Sequence, residues 1–168
     1  MFQTFFPDEC AKSTYHIDFE EYYQKGYRGI IFDIDNTLVE HGTDASQASI
    51  ELFKKLKSIG FKTCLLSNNK EERVKRFNQP IQSDYIFKAQ KPYRRNYMKA
   101  CNQMGTTVSN TLFVGDQLFT DVWGAKRCGM HNILVEPIDK KEEIQIVLKR
   151  YLEHIVLYFY RRKQNQLK

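Results

Sequence analysis

The sequence predicts an α/β protein with a doubly wound, Rossmann-like and mostly parallel sheet. Two observations support this fold class. Short apolar runs alternate along the chain with longer amphipathic segments, and apolar runs of this kind are typical of parallel strands buried on both faces. Three of the four amphipathic segments are followed by a glycine, which commonly ends a helix. This alternation of strands and helices favours right-handed crossovers within a single domain.

The five apolar runs are the predicted strands. They occupy residues 28–32 (RGIIF), 61–66 (FKTCLL), 84–87 (DYIF), 111–114 (TLFV) and 132–135 (NILV). The third run is short and is the weakest candidate of the five.

The four amphipathic segments predict helices over residues 45–59, 70–77, 94–104 and 118–128. In the first of them, the apolar residues recur at nearly 3.6-residue intervals. Gly60, Gly105 and Gly129 follow the first, third and fourth helices as stop signals. We expect Asn68 or Asn69 to cap the start of the second helix, because asparagine is a favoured capping residue.

The composition indicates a globular protein with an anionic partner. A chain of 168 residues can bury a core in one domain. Its net charge of +6 suits phosphate esters, nucleic acid or an anionic membrane surface, although a basic surface kept for solubility is the commonest reason for such a charge. The four cysteines form no CxxC pair, which argues against a zinc site or a redox motif and for a reducing compartment.

The chain shows no targeting or spanning pattern. No basic stretch precedes an apolar run at the N-terminus, so we expect no signal peptide. No uncharged stretch is long enough to span a bilayer. We therefore expect a cytoplasmic protein, either free or peripheral on the inner face of the membrane.

Two carboxylates follow the first predicted strand, in the segment DIDNT of residues 33–37. Ligands of open α/β sheets bind beyond the carboxyl ends of the strands, so Asp33 and Asp35 should face the site. One can act as a nucleophile and the other can transfer protons. Asn36, which follows Asp35, is a residue that tolerates a positive φ in a turn.

Polar residues also follow the next predicted strands. Ser67 and Asn68, at the start of a helix, can hold phosphate oxygens. Lys91, ahead of Pro92, can supply a fixed positive charge. Asp116 and Asp121 follow the fourth strand and add carboxylates beside Asp33, which makes an oxygen-rich pocket suited to Mg²⁺.

Each of these motifs has an ordinary structural explanation when taken alone. Lys91 could be a solvated surface lysine, and Asp121 could be an acidic residue that favours a helix dipole. Their common position at the ends of successive strands favours a single functional site.

These residues resemble the four motifs of the haloacid dehalogenase superfamily over residues 26–136. The motifs are Asp33 to Thr37, Ser67, Lys91, and Gly115-Asp116 with Asp121. The DIDNTLV segment, the chain length and the lack of room for a cap domain resemble subclass IIIA, the YqeG type. That type is similar to the mitochondrial phosphatidylglycerophosphate phosphatases.

The resemblance implies a role for each site residue. Asp33 would attack phosphorus, and Asp35 would protonate the leaving group and then activate water. Thr37 and Ser67 would bind phosphoryl oxygens, and Lys91 would neutralise their charge. The magnesium ligands would be the Asp33 carboxylate, the Asp35 backbone carbonyl and Asp116, with Asp121 either binding the metal or orienting the residues around it.

The site is expected to be open, because the segments 38–66 and 70–90 are too short to house a cap domain. An open site favours a large substrate or one presented by a surface, and phosphatidylglycerophosphate is the substrate that the resemblance implies. A second subunit acting as a lid is the competing explanation, which would make the protein an oligomer.

The C-terminal segment has an apolar stripe at helical spacing, formed by Ile144, Val147, Leu148, Tyr151, Leu152, Ile155, Tyr158 and Phe159. The basic residues Arg161, Arg162 and Lys163 follow it directly. Such a helix suits an anionic lipid surface, but it could equally pack on its own sheet. The same two explanations hold for Phe2, Phe5 and Phe6, whereas Tyr22 and Tyr23 are expected to pack.

We therefore divide the chain into an aromatic-rich extension packed on the core (1–25), a phosphatase core (26–140), and an amphipathic helix with a basic tail (141–168). Three functions stay open beside the lipid phosphatase. They are a phosphatase for a soluble nucleotide or sugar phosphate, a receiver-like module that accepts phosphate on Asp33, and an RNA- or protein-binding scaffold. No specific nucleic acid is expected, because the basic tail carries no RNA-binding motif.

Overall fold

A computed structural model describes the backbone of residues 2–139 and 144–166 and the side chains of residues 3–139 and 149–165. Six strands form one sheet in the order β1-β6-β5-β2-β3-β4, and every neighbouring pair is parallel. The strands are β1 (Glu9–Ala11), β2 (Gly29–Phe32), β3 (Lys62–Leu66), β4 (Asp84–Ile86), β5 (Thr111–Gly115) and β6 (His131–Val135). The predicted fold class is confirmed.

Within the described residues, six α-helices accompany the sheet: α1 (Phe19–Gln24), α2 (Gln47–Ile59), α3 (Glu71–Ile81), α4 (Arg94–Met104), α5 (Trp123–Cys128) and α6 (Ile144–Gln166). Gly60, Gly105 and Gly129 adopt left-handed conformations at the ends of α2, α4 and α5, as predicted. Only α2 lies between β2 and β3, and only α3 lies between β3 and β4, so no cap domain is inserted at either position.

Successive residues of β2 point to opposite faces of the sheet and build two apolar layers. Ile30 and Phe32 join the layer that is covered by α1, α2 and α3, whereas Ile31 joins the layer covered by α4 and α5. Because β3 and β4 lie on one side of β2 while β5 and β6 lie on the other, the strand order reverses between β2 and β5. This reversal opens a crevice at the carboxyl ends of these strands.

The N-terminal residues contribute two elements that the sequence did not predict. The edge strand β1 has only three residues, of which two are exposed, and it pairs with β6. The helix α1 has six residues and buries Phe19 and Tyr22. Such short elements carry too little periodicity to be recognised in the sequence. The division of the chain at residues 25 and 140 stays a prediction.

The start of α3 differs from the prediction, because Lys70 occupies the capping position and no side chain caps the helix. Asn68 and Asn69 bond instead to groups of the site. The helix also continues past residue 77 to Ile81 and includes Pro80 in its last turn, where the ring removes only one donor near the end of the helix.

The predicted helix over residues 118–128 is not uniform. Residues Leu118–Val122 form a π-helical turn, and α5 begins only at Trp123. π-helical turns inside helices are frequent at functional sites, and this one carries Asp121.

The C-terminal helix α6 packs on the core through one face. Glu153 and Val156 are buried, and the Glu153 carboxylate accepts a hydrogen bond of 2.8 Å from the backbone N–H of Leu118. The ring of Phe6 lies 5.4 Å from that of Tyr160, and Phe5 packs against Phe119 and Trp123. Phe5 and Phe6 therefore pack internally, as do Tyr22 and Tyr23. The side chains of Phe2, Ile144, Val147 and Leu148 lie outside the described residues.

We expect Glu153→Ala to lower the free energy of unfolding by about 2–4 kcal/mol. The substitution leaves the buried N–H of Leu118 without its acceptor and removes a carboxylate that lies 3.0 Å from Arg150. Urea-induced unfolding measures the loss. Glu51→Ala on the exposed side of α2 is the control and should change little; equal losses in both variants would contradict the prediction.

Among the described residues, no helix combines the length and the apolar character that crossing a bilayer requires.

Candidate active site

Three buried carboxylates meet at the carboxyl ends of β2 and β5. Asp33 directly follows β2, Asp116 directly follows β5, and Asp121 lies in the π-helical turn after Asp116. Each offers an oxygen that lies within 4.8 Å of an oxygen of the other two. The sequence predicted this juxtaposition from the parallel strand ends.

Lys91 is the positive charge at the centre of this cluster. Its Nζ lies 2.7 Å from Oδ1 of Asp33 and 2.7 Å from Oδ1 of Asp121, and its side chain is only 4% exposed. Burial alone would lower the pKa of Lys91, but the carboxylates of Asp121 and Asp33 outweigh it and raise the pKa above its ordinary value. Lys91 is thus a fixed cation and not a solvated surface lysine.

The same surroundings raise the pKa of two of these carboxyl groups, those of Asp33 and Asp116. Burial raises the pKa of Asp33 well above its usual range, with Lys91 opposing and the charges of Asp121 and Asp116 adding to the rise. Burial and the charge of Asp121 raise the pKa of Asp116 to about 7, although Arg150 lowers it. Because three carboxyl groups share one buried pocket, a further cation would stabilise their ionised forms.

Asp116 is held from two sides. Its Oδ1 accepts a hydrogen bond of 3.1 Å from the hydroxyl of Thr37, and its Oδ2 forms an ion pair with Arg150 of α6. Arg150 also donates to the backbone carbonyl of Asp116 over 2.6 Å. Thr37, predicted to bind phosphate, therefore contacts Asp116 here.

Asp35 lies apart from the three-carboxylate cluster. Its Oδ1 accepts hydrogen bonds from the backbone N–H of Gly42 at 2.8 Å and from Nη2 of Arg73 at 3.0 Å. Its Oδ2 accepts a hydrogen bond from the side-chain amide of Asn69. Donors from a loop, a strand end and α3 therefore fix this carboxylate in one orientation.

The residues after β3 form a second hydrogen-bonded group. The hydroxyl of Ser67 is buried and accepts hydrogen bonds from the backbone N–H and the amide of Asn69 at 3.2 and 3.0 Å. Oδ1 of Asn68 accepts the backbone N–H of Lys91 at 2.8 Å. Asn68, predicted to bind phosphate, is thus an exposed residue that anchors the Lys91 segment.

Asn36 shapes the turn that follows Asp35. Its φ of 63° lies in the left-handed region that asparagine tolerates. Its backbone carbonyl accepts the N–H of Ile138, and its side-chain oxygen accepts the N–H of Asp139. The structural explanation considered for Asn36 is confirmed.

Asp121 closes the turn that follows Asp116. Its Oδ2 accepts the backbone N–H groups of Asp116 and Gln117, both at 3.1 Å. Gly115 makes room for it, because a Cβ at residue 115 would lie 2.5 Å from Oδ2 of Asp121 and 2.6 Å from its Cβ.

We expect Gly115→Ala to reduce kcat/KM for an aryl phosphate by about 100-fold, since small misplacements of site residues carry costs of that order. The new methyl group must displace Asp121, which contacts Lys91. Gly105→Ala is the control: the substitution strains a φ of +65° but meets nothing within 4 Å. It should cost about 1 kcal/mol of stability and leave kcat/KM unchanged. Equal kinetic losses in both variants would contradict the prediction.

Asn69, Arg73 and Arg150 were not predicted as site residues. Arg73 and Arg150 contact carboxylates 38 and 34 residues away in the chain. Contacts over such distances cannot be predicted from a local sequence pattern. For Asn69 a signal was present, because it adjoins Ser67-Asn68 at a strand end.

The cluster fits a hard divalent cation. Asp33, Asp116 and Asp121 supply only oxygen donors, which Mg²⁺ prefers. Among the described residues, Lys91 is shared by two of these carboxylates, and Arg150 is shared between Asp116 and Glu153. The pocket therefore retains negative charge that a cation would balance.

Comparisons with known proteins agree with this arrangement. The model of the haloacid dehalogenase-like hydrolase family matches residues 46–129. The probable phosphatase YqeG of Bacillus subtilis (strain 168) is 38% identical over 160 residues, which cover 95% of this chain and 93% of that protein. Phosphatidylglycerophosphate phosphatase 1, chloroplastic/mitochondrial, of Arabidopsis thaliana is 29% identical over 170 residues, which cover 94% of this chain and 48% of that protein.

Solved structures agree with the fold. The crystal structure of an uncharacterized protein from Listeria monocytogenes serotype 4b superposes with a TM-score of 0.54 at 19% identity, covering 70% of this chain and 86% of that one. This similarity concerns the fold alone. The family match and the extended similarity to the Bacillus subtilis protein lead to one conclusion: the chain belongs to the haloacid dehalogenase-like hydrolases and is a phosphatase of that family.

Proposed function

We propose that the protein hydrolyses a phosphomonoester in a Mg²⁺-dependent reaction that passes through an aspartyl phosphate on Asp33. The observation that carries this proposal is the buried cluster of Asp33, Asp116 and Asp121 around Lys91. A nucleophilic carboxylate, a fixed cation and oxygen donors for a metal are together in one pocket, as phosphoryl transfer requires.

In the first step, a carboxylate oxygen of Asp33 attacks phosphorus and the bond from phosphorus to the ester oxygen breaks. Asp35, which enters this step as the neutral carboxylic acid, gives its proton to the leaving alkoxide and becomes a carboxylate. Lys91 stabilises the negative charge on the phosphoryl oxygens. The products of this step are the free alcohol and the phosphorylated Asp33.

In the second step, Asp35 accepts a proton from a water molecule whose oxygen attacks phosphorus. The bond between phosphorus and Asp33 breaks, which releases inorganic phosphate and restores the carboxylate. A residue that alternates between acid and base in this way needs a fixed position, and the three donors to Asp35 support that role.

The remaining site residues hold the reacting group. Ser67 accepts two hydrogen bonds from Asn69, which leaves its own proton for a phosphoryl oxygen. Thr37 orients Asp116 for the metal. Both oxygens of Asp121 already accept hydrogen bonds, which favours the orienting role over direct metal binding. The side-chain oxygen of Asn68 accepts the backbone N–H of Lys91. Asn68 therefore contributes to phosphate binding by positioning Lys91.

The carboxylates of Asp33 and Asp116, with the backbone carbonyl of Asp35, would hold Mg²⁺. When bound, the ion supplies a Lewis acid that draws charge from the phosphoryl oxygens.

The substrate that we propose is phosphatidylglycerophosphate, a lipid phosphomonoester. The name of the Arabidopsis thaliana relative is the first support. The second is the absence of a cap between β2 and β4, because a site without a cap can accept a headgroup that is still anchored in a bilayer.

The exposed face of α6 supports an encounter with an anionic membrane surface. Tyr151, Leu152, Ile155, Tyr158 and Phe159 are between 41 and 73% exposed. The exposed residues Arg161, Arg162 and Lys163 follow them. Aromatic and aliphatic side chains beside basic ones suit the interface of an anionic bilayer. We accordingly propose a cytoplasmic protein that is peripheral on the inner face of the membrane.

Phosphate release from phosphatidylglycerophosphate in mixed micelles tests this proposal, with and without Mg²⁺, for the wild type and for Asp33→Asn. Magnesium-dependent release that is lost in the variant is the expected result. If no phosphate is released from the lipid while the same preparation hydrolyses 4-nitrophenyl phosphate, the proposed reaction stands but the lipid substrate is wrong. A soluble phosphomonoester would then be the substrate.

A further inference from the structure

We propose that Arg73 is the positioning residue that holds Asp35 ready for proton transfer to the leaving group. This inference rests on the proposed function, because it takes Asp35 as the general acid. Nothing in the four motifs assigns a role to Arg73, which lies on the first turn of α3.

The geometry links the two residues directly. Nη2 of Arg73 lies 3.0 Å from Oδ1 of Asp35, and each side chain is 12% exposed. The contact joins α3 to the loop after β2, and it is the only one of the three contacts to Asp35 that brings a full opposite charge. A charge-assisted hydrogen bond shielded from water in this way is stronger and more directional than one at the surface.

Two of the remaining donor atoms of Arg73 have no partner in the part of the chain that the structure describes. Among the described residues, Nε and Nη1 are buried and make no hydrogen bond. The guanidinium lies 5.7 Å from the centroid of the Phe77 ring, which fills the space beside it. Burying unsatisfied N–H groups costs stability, so the folded protein retains this arginine at a cost.

A purely structural role does not account for that cost. The helix α3 is already anchored by Val74 and Phe77, both fully buried. Among the residues that the structure describes, the hydrogen bond to Asp35 is the single polar contact of Arg73. Buried polar groups that lack hydrogen-bond partners are expected at functional sites more than elsewhere in a protein.

The contact separates two carboxylates with different tasks. Asp35 is two residues from Asp33, yet it does not join the three carboxylates that can hold a metal. Without Arg73, the Asp35 side chain would lose the one cationic partner that it has among the described residues, and it could turn toward a bound cation. Arg73 keeps Asp35 away from the metal position and available to the ester oxygen.

The test compares two substrates that differ in their leaving group, phenyl phosphate and 4-nitrophenyl phosphate. A general acid matters most for the poorer leaving group, phenol, and typically contributes about 10²- to 10⁴-fold. For Arg73→Ala we expect kcat/KM to fall about 100-fold with phenyl phosphate and less than about 10-fold with 4-nitrophenyl phosphate. Arg73→Lys should restore part of the loss, because it keeps the charge.

Two further variants make the result interpretable. Lys75→Ala removes an exposed cation of the same helix and should leave both values of kcat/KM unchanged. Asp35→Asn should show the same selective loss as Arg73→Ala. If thermal unfolding shows that Arg73→Ala is not folded, Arg73→Lys is the decisive variant. Its kcat/KM should then fall by a smaller factor, and the fall should still be larger for phenyl phosphate than for 4-nitrophenyl phosphate.

Two outcomes overturn the inference. In the first, Asp35→Asn lowers kcat/KM selectively for phenyl phosphate, but the Arg73 variants lower kcat/KM for both substrates by the same factor. Arg73 is then only structural, and the proposed function stands. In the second, Asp35→Asn lowers kcat/KM for both substrates by the same factor. Asp35 is then not the general acid, and the inference about Arg73 fails with it.

Discussion

Replacing Asp33 with asparagine should abolish phosphate release, with turnover reduced by roughly 10⁴-fold or more, because the amide cannot attack phosphorus. The protein should remain folded. Burial and the charges of Asp121 and Asp116 oppose the ionised form of Asp33 more strongly than Lys91 favours it, so a neutral side chain at this position is tolerated in the metal-free protein. The midpoint of thermal unfolding without Mg²⁺ should be unchanged or higher.

Asp84→Asn is the matched control, since Asp84 is exposed at the start of β4. It therefore lies at the amino ends of the parallel strands, whereas the site lies at their carboxyl ends. It should keep full turnover. An Asp33→Asn protein that releases phosphate at a rate near that of the wild type would show that another group is the nucleophile.

Replacing Lys91 with methionine should cost both activity and stability. The substitution leaves Asp33 and Asp121 buried without the cation that lies 2.7 Å from each. Removing one partner of a buried ion pair typically costs about 3–5 kcal/mol, and we expect a loss of that size in urea-induced unfolding without metal. Mg²⁺ should restore part of it, because the ion takes over the neutralisation of these carboxylates.

Lys75→Met provides the comparison, because Lys75 pairs with Glu71 on the exposed side of α3. That substitution should change little, with or without Mg²⁺. A Lys91→Met protein as stable as the wild type in the absence of metal would contradict the account of the charge cluster.

The sequence predicted the central strands and the residues at their ends because both signals are local. Short apolar runs marked β2, β3 and β5, and the topology of parallel sheets then brought Asp33, Ser67 and Asp116 to one edge. Asn36 was also predictable, since few residues tolerate its φ of 63°.

The parts that escaped prediction depend on packing between distant segments. The edge strand β1 is defined by its pairing with β6 and not by its own composition. Arg73 and Arg150 reach the site from α3 and α6, and their orientation follows from how those helices pack. The explanation that the C-terminal helix packs on the core is confirmed for Glu153 and Val156, which are buried. The lipid-surface explanation stays a prediction that concerns the exposed face with Tyr151 and Tyr158.

The most direct test of the mechanism is to trap the phosphoryl group on the enzyme. The protein is mixed with excess 4-nitrophenyl phosphate and Mg²⁺, quenched in acid within one turnover, digested and analysed by mass spectrometry. We expect the peptide that contains Asp33 to gain the mass of one phosphoryl group, and Asp35→Asn to accumulate more of it because hydrolysis lacks its base. Turnover at the normal rate with no phosphoryl group on Asp33 in either protein would contradict the proposed reaction.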